Sequence, residues 1–173
     1  SLSTDPVYLE KAKFIADNKL IVFRFHDHIH RTNPDGIYEG MLNKLEWKKN
    51  AVNGSSKLFQ FNQNTLESFA RELKTKLHLN SIRVIGDPKM KFTKVGFSAG
   101  APGGSSHIRM LRNPEIEVLV AGEAPEWETY SYANDAIEQG KKKAVIFLGH
   151  VKSEEAGMEY CAQWLETFVK DVP

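Results

Sequence analysis

Apolar and polar positions along the chain show two kinds of spacing, and together they predict alternating strands and helices. Short apolar runs bounded by turn residues are typical of strands, and they cover residues 20–25, 57–61, 81–85, 92–97, 116–121 and 143–148. Apolar residues spaced three and four positions apart are typical of amphipathic helices, and such segments begin near Thr4, Ile37, Asn64, Ile108, Trp127 and Ser153. Because strands and helices alternate, we predict an α/β fold with largely parallel strands in the second half of the chain.

The first helix is predicted to be capped and amphipathic, and the last helix is predicted to turn an apolar stripe inward. The first opens with Thr4-Asp5-Pro6, which is typical of a capped helix with proline in its first turn. The last has an inward stripe predicted from its spacing, made of Gly157, Cys161, Trp164, Leu165 and Phe168.

Composition narrows the possible partners and locations. The 173 residues include 23 Lys and Arg against 22 Asp and Glu, a net charge of +1 that gives no reason to expect nucleic acid or an anionic membrane as a partner. No apolar run reaches the length of a membrane span. The single cysteine, Cys161, excludes an internal disulfide and a multi-thiolate zinc site. Nothing near the N-terminus has the pattern of a signal peptide, so we expect a cytoplasmic protein.

A dense histidine cluster, His26-Asp27-His28-Ile29-His30, follows the first predicted strand. Ligands of open α/β sheets collect at the carboxyl ends of strands. If the strand continues, the three histidines share one face; if the chain turns, His26 and His30 still converge. Imidazoles with a carboxylate suit Zn, Mn, Fe or Ni better than Mg or Ca. The alternative is a solvated polar turn in which one histidine binds the backbone.

A second candidate, in residues 149–154, follows the last predicted strand. The strand ends just before His150, and Glu154 in the first turn of the next helix can point back beside it. Both side chains donate electron pairs, which predicts a mixed His/carboxylate metal site. The alternative is a helix start at which Glu154 only complements the helix dipole.

Carboxylates also follow the strand predicted at 116–121. Glu123 and Glu126 stand in a G-E-x-x-E segment, where they could orient a metal-binding histidine or carry protons. We therefore take both as candidate catalytic residues. The alternative is an acidic, solvated helix start.

Residues 96–100 match the G-x-S-x-G pattern of serine hydrolases, with Ser98 as the nucleophile. Asp135 and His150 follow in the order of a catalytic triad. A nucleophilic serine of this kind leads directly into a helix, however, whereas residues 101–104 predict a loop. No His-Gly-Gly stretch lies upstream to offer an oxyanion donor, so a serine hydrolase is the lesser alternative.

Taken together, the histidine cluster, the glycine-rich loop 98–106, the G-E-x-x-E segment and the closing G-H-x-x-S-E resemble the Nif-three-like dinuclear metal-centre proteins, often labelled GTP cyclohydrolase 1 type 2 homologues. The resemblance covers nearly the whole chain, and G-H-x-x-S-E is its most specific part. It implies two α/β lobes with a metal crevice between them. Residues 1–90 would be the rear part of the first lobe and residues 91–173 the second part. Because members run longer and carry an upstream H-H-P or similar motif, the chain resembles the C-terminal portion of a longer member.

The same resemblance implies a set of metal ligands. In the family a strand ends in H-T-N-x-D, and its final aspartate binds metal. The histidine cluster occupies that stretch here, so His30 stands in place of the aspartate, with Asp27 as the alternative ligand. The family's glycine-histidine and the glutamate four residues later correspond to His150 and Glu154. The implied centre holds two divalent ions (Zn, Mn, Fe or Ni), and its ligands in this chain would be His26, His30, His150 and Glu154.

The function implied is a metal-dependent, hydrolase-like protein acting on a phosphate- or nucleotide-type small molecule, with Glu123 or Glu126 moving protons. The alternative is a non-catalytic regulatory or scaffold protein in which metal serves structure or sensing. The resemblance also implies a homo-oligomer, namely a ring-like homohexamer. Trp127, Tyr130 and Tyr132 would suit such an interface, although a place in the core is equally compatible with their spacing.

Overall fold

The computed structural model describes residues 2–170 and builds them around one five-stranded sheet. Its strands are β1 (Leu58–Thr65), β2 (Arg83–Ile85), β3 (Lys91–Ser98), β4 (Val118–Ala121) and β5 (Ala144–Phe147), in the order β1-β3-β4-β5-β2. Strands β3, β4 and β5 are parallel, as predicted, while β1 and β2 run antiparallel at the two edges. Ser98 pairs with Ala121, which pairs with Phe147, so the three parallel strands end side by side.

Helices cover both faces of the sheet, which confirms the α/β fold class. They are α1 (Pro6–Asp17), α2 (His26–His30), α3 (Gly36–Leu45), α4 (Leu66–Lys76), α5 (Gly104–Arg112), α6 (Ser131–Glu138) and α7 (Glu155–Leu165). Alternate strand residues point to opposite faces. On one face they pack with α3, α4 and α7, and on the other with α5 and α6. A single sheet therefore separates two apolar cores.

Local signals in the sequence explain where several helices begin. The side chain of Asp35 accepts hydrogen bonds from the backbone N–H groups of Ile37 and Tyr38, which caps α3. Thr65 caps α4 by accepting from Ser68 N–H. Side-chain oxygens satisfy N–H groups that have no partner within the helix, and each such cap contributes about 1 kcal/mol.

The larger core is built on an aromatic cluster around Trp47. Its ring lies 5.1 Å from that of Phe59, 5.7 Å from Phe69 and 5.9 Å from Phe97, measured between centroids. All four side chains are buried, and burying each large apolar side chain contributes roughly 1.5–3 kcal/mol. This cluster ties β1, α4 and β3 together beneath the carboxyl end of the sheet.

Helix α7 lies directly against α3 because glycines line their contact. A Cβ atom on Gly40 would lie 2.1 Å from the carbonyl oxygen of Ala156, and one on Gly157 would lie 2.5 Å from Cα of Ile37. Side chains at either position would push the helices apart. The two glycines therefore fix α7, and with it the segment 150–154 that leads into it.

The N-terminal quarter differs from its prediction. Residues 20–25 are not a strand: no strand of the described part of the chain pairs with them, and Ile21 is 95% exposed. A strand is stable only with a hydrogen-bonded neighbour, so a β-type composition was not sufficient. Helix α1 forms with Asp5 as its cap, but none of its residues is buried. The predicted capped helix is therefore present, and its apolar residues Val7, Leu9 and Phe14 are exposed.

Three further points concern the ends of the chain and its division. Of the stripe predicted for the last helix, Gly157 and Cys161 are buried, whereas Leu165 and Phe168 are exposed.

The five-stranded sheet contains strands from both sides of the boundary predicted between residues 90 and 91. The division of the chain into two lobes stays a prediction. Position 1 of the predicted first segment (1–90) and positions 171–173 of the second (91–173) lie outside the described residues. None of the described helices is both long and apolar enough to cross a membrane.

Candidate functional site

His150 and Glu154 meet at the carboxyl end of the parallel strands. His150 follows β5 after Gly149, and a short 3-10 turn (Val151–Ser153) brings Glu154 back toward it. The imidazole Nε2 lies 3.5 Å from Oε2 of Glu154. The histidine side chain is 43% exposed and the glutamate 18% exposed, so the pair lies at the rim of the sheet, open to a ligand from solvent.

Glu123 holds the other nitrogen of this histidine. It follows β4 after Gly122, and its Oε2 lies 3.2 Å from Nδ1 of His150. When Nδ1 carries hydrogen and donates it to Glu123, Nε2 presents its lone pair toward Glu154. A carboxylate that orients a histidine in this way is the usual outer partner of a metal-binding imidazole.

The backbone around the pair is fixed by Gly100 and Ser153. Gly100 has a φ of +65°, and a Cβ atom there would lie 2.3 Å from Oε1 of Glu154, so only glycine leaves room for that carboxylate. The buried Ser153 hydroxyl accepts from Gly100 N–H at 2.9 Å and donates to the carbonyl of His150 at 2.7 Å. These contacts connect the loop after β3 to the segment after β5.

The histidine cluster forms a second, separate group. Residues 26–30 are a short helix rather than the continuation of a strand, so His26 and His30 lie one turn apart with ring centroids 4.9 Å from each other. This is the second of the two arrangements that the sequence left open. His28 points elsewhere and stacks on Phe25, with ring centroids 5.6 Å apart.

Two aspartates accompany these histidines. Asp27 Oδ1 lies 2.8 Å from Nδ1 of His26, and this hydrogen bond, with the positive charge of Arg24, lowers the pKa of the Asp27 carboxyl. Asp35 Oδ2 lies 3.1 Å from Nδ1 of His30. Asp35 is not among the metal ligands expected from the sequence. The signal was present, because Thr32-Asn33-Pro34-Asp35 matches the T-N-x-D part of the family motif more fully than the histidine cluster does.

Tyr38 is buried in the region between the two groups. Burial raises the pKa of its hydroxyl to about 12, and the negative charges of Asp35 and Glu154 add to that rise. Hydrogen bonds with Ala99 N–H and the side chain of Ser98 act in the opposite direction. Within residues 2–170, no three His, Cys, Asp or Glu side chains form a group that could hold a metal ion. The structure therefore presents two pairs, His150 with Glu154 and His26 with His30, and does not join all four.

The remaining candidates, Glu126 and Ser98, lie apart from His150. Glu126 forms an ion pair with Arg83 on β2 and not with the histidine. Ser98 is the buried last residue of β3, and a loop of five residues separates it from α5. A serine nucleophile must be accessible to its substrate and hydrogen-bonded to its base. The Ser98 geometry meets neither condition, so it disfavours the serine hydrolase.

Comparison with known proteins identifies the fold. Residues 3–172 match the family model described as Duf34/NIF3 (NGG1p interacting factor 3). Among solved structures, a Bacillus cereus protein related to NIF3 is similar with 21% identity and a TM-score of 0.51, over 66% of this chain and 31% of that one. A Staphylococcus aureus hypothetical protein, SA1388, is similar with 24% identity and a TM-score of 0.50, over 64% of this chain and 29% of that one.

A third solved structure, the protein ybgI, of unknown function, has 19% identity and a TM-score of 0.50 over 64% of this chain and 42% of that one. The chain thus spans less than half the length of each of these three proteins. No protein with a curated description is similar enough to count as a match. The structural likeness at these identities concerns the fold, whereas the family model covers nearly the whole chain. The expectation drawn from the sequence motifs is therefore confirmed: the chain belongs to the Duf34/NIF3 family.

Proposed function

We propose that this chain supplies ligands to a centre of two divalent transition-metal ions, Zn, Mn, Fe or Ni, in a hydrolase-like protein. The observation that carries the proposal is the row Glu123–His150–Glu154. With its Nδ1 hydrogen donated to Glu123, His150 directs a lone pair toward a carboxylate oxygen 3.5 Å away. Two electron-pair donors so close repel each other unless a proton or a metal cation lies between them, and a divalent ion suits both donors.

The donor chemistry fits such an ion, although the described residues supply only part of a coordination shell. An ion with bonds of about 2.0–2.2 Å to nitrogen and oxygen can touch both His150 Nε2 and Glu154 Oε2 at their present separation. His26 and His30 are the second pair proposed. Further positions would be filled by water, by substrate, or by groups outside these 173 residues.

A bound divalent ion lowers the pKa of its water toward neutrality and stabilises negative charge on a phosphate or amide oxygen. The chain's own residues contribute orientation and proton transfer. Glu123 uses Oε2 to hold His150, and no hydrogen bond within residues 2–170 occupies its other carboxylate oxygen. That free oxygen makes Glu123 a better proton carrier than Glu126, which is paired with Arg83. The substrate class proposed is a phosphate- or nucleotide-type small molecule, and the location proposed is the cytoplasm.

The test is the metal content of variants after equilibration with each of the four metals, measured by ICP-MS. His150→Ala should reduce the content to background, and Glu154→Gln should weaken binding at least tenfold, because each removes a ligand. His78→Asn and Glu159→Gln are matched controls, since both side chains are exposed and stand outside the site. A wild-type chain without metal, or His150→Ala with unchanged content, would contradict the proposal.

A non-catalytic homo-oligomeric scaffold, as a hexamer, is the second candidate. Trp127 favours it, because this large aromatic side chain is 79% exposed, whereas Tyr130 and Tyr132 are partly buried. Exposed aromatic residues are enriched at protein interfaces. Light scattering on wild type and Trp127→Ala measures assembly, and assays of phosphoester turnover with and without metal measure catalysis. Turnover that depends on metal loading supports the enzyme; its absence in a metal-loaded oligomer supports the scaffold.

A further inference from the structure

A cleft of about 310 Å³ opens beside His150 and ends at a guanidinium group. Glu123 and His150 form one wall, and Arg83 with Tyr130 forms the other. Gly122 and Gly149 also line the cleft, where they present only backbone atoms. Arg83 pairs with Phe147 in the sheet, and His150 follows three residues later, so the Cα atoms of Arg83 and His150 lie within roughly 15 Å of each other.

The Arg83 wall is held rigidly by aromatic packing. Tyr130 stacks on Phe147 with ring centroids 4.4 Å apart and an angle of 3° between the planes. The guanidinium carbon of Arg83 lies 5.3 Å from the centroid of the Tyr130 ring, and its Nη1 donates to the tyrosine hydroxyl at 3.0 Å. Because the hydroxyl oxygen accepts this bond, its own hydrogen remains available for donation.

Charge in the cleft favours an anion at this wall. Arg83 is the one permanently charged cation among the described residues that line the cleft. Its Nη1 also binds Glu126, whereas its Nε and Nη2 groups have no hydrogen-bond partner among residues 2–170. The side chains of Arg83 and Glu126 are 58% and 68% exposed, and an ion pair so exposed contributes little, so another oxyanion can replace Glu126.

We propose that Arg83 and the Tyr130 hydroxyl bind the oxyanion of a small-molecule substrate, a phosphate or a carboxylate, whose reacting end lies at His150 and Glu154. The planar fork of a guanidinium matches both groups through two parallel hydrogen bonds. In the absence of substrate, Glu126 occupies part of that fork and acts as an internal competitor. The inference rests on the proposed function for the identity of the reacting end, but the anion subsite itself requires no metal.

The experiment titrates the metal-free, ¹⁵N-labelled chain with inorganic phosphate and, separately, with acetate, following backbone amides and arginine Nε–H signals by NMR. Phosphate should shift the signals of Arg83 and its neighbours. Arg83→Gln should weaken phosphate binding by about tenfold or more, because a charge-assisted fork is lost. Arg71→Gln is the matched control, since Arg71 is likewise exposed and paired with a glutamate, Glu67. Its phosphate affinity should equal that of the wild type.

Two further variants test the arrangement itself. Glu126→Gln should tighten phosphate binding several-fold, because it removes the competing carboxylate, and Tyr130→Phe should weaken binding while keeping the aromatic stack. No response to phosphate or acetate, an equal loss in Arg71→Gln, or weaker binding in Glu126→Gln would overturn the inference. Acetate binding as tight as phosphate binding supports the subsite for both oxyanions, whereas phosphate binding alone supports it for phosphates.

The two proposals fail separately. Arg83→Gln should keep its metal, and His150→Ala in the metal-free state should keep its phosphate affinity. If His150→Ala loses its metal but Arg83→Gln binds phosphate as tightly as the wild type, only the subsite is overturned. Phosphate binding that depends on Arg83 in a chain that takes up no metal would overturn the proposed function alone.

Discussion

The two donor pairs are built in different ways. His150 and Glu154 lie on a backbone fixed by the ends of three parallel strands, by the buried Ser153 hydroxyl and by the glycine contact between α3 and α7. His26 and His30 lie on a five-residue helix with one buried residue, Ile29, preceded by an exposed segment. A site placed on rigid elements is held in its binding geometry, whereas a lightly packed helix must be drawn into place. The first pair is therefore the preorganised half of the proposed centre.

The largest effect that separates the two regions is expected from Gly40→Val. Its side chain would collide with the backbone of α7 at Ala156, and the free energy of unfolding should fall by about 3 kcal/mol. Urea denaturation measures the loss. The control Ala162→Val, at an exposed position of α7, should cost less than about 0.7 kcal/mol. A Gly40→Val chain as stable as wild type would mean that α3 and α7 are not in backbone contact.

Ser153→Ala should have the next largest effect and should disturb the preorganised pair selectively. It leaves the buried Gly100 N–H without its hydroxyl partner, while the carbonyl of His150 keeps only the bond from Ser153 N–H, at a cost of about 1–3 kcal/mol. Metal affinity should fall with stability, although Ser153 is not a proposed ligand. Ser105→Ala, at an exposed position on α5, should change neither quantity. Unchanged metal binding in Ser153→Ala would show that the pair does not depend on this rigid backbone.

Sequence reasoning located the preorganised pair because its signals are local. His150, Glu154 and Glu123 each follow an apolar run that predicts a buried strand, and parallel strands bring their carboxyl ends together. Capping residues and turns similarly indicated where α3 and α4 begin. These features depend on residues only a few positions apart, which is why one sequence was enough.

The missed features depend on long-range contacts. Tyr38 is buried because α3 packs beside the loop after β3, a contact between residues 61 positions apart that no local pattern marks. In the sequence, Gly100 cannot be distinguished from the other glycines of its loop. Its role becomes visible only in the structure, where the carboxylate of Glu154 lies beside it. The strand predicted at 20–25 failed for the same reason, because its β-type composition is local whereas its hydrogen-bonded partner would have to come from elsewhere.

The smallest effect is expected in the exposed segment that leads to the histidine helix. Ile21→Ser should change the free energy of unfolding by less than about 0.5 kcal/mol, because Ile21 is already 95% exposed and loses no packing. The matched change in β5, Ile146→Ser, empties a buried position and should cost about 2 kcal/mol or more by urea denaturation. If Ile21→Ser instead costs more than 1 kcal/mol, Ile21 is packed in solution, and the contrast between a rigid and a lightly packed donor pair fails. If the cost stays near zero, the histidine helix is attached through a segment without a core of its own. In the proposed centre, metal affinity would then depend on how far His26 and His30 must move to join His150 and Glu154.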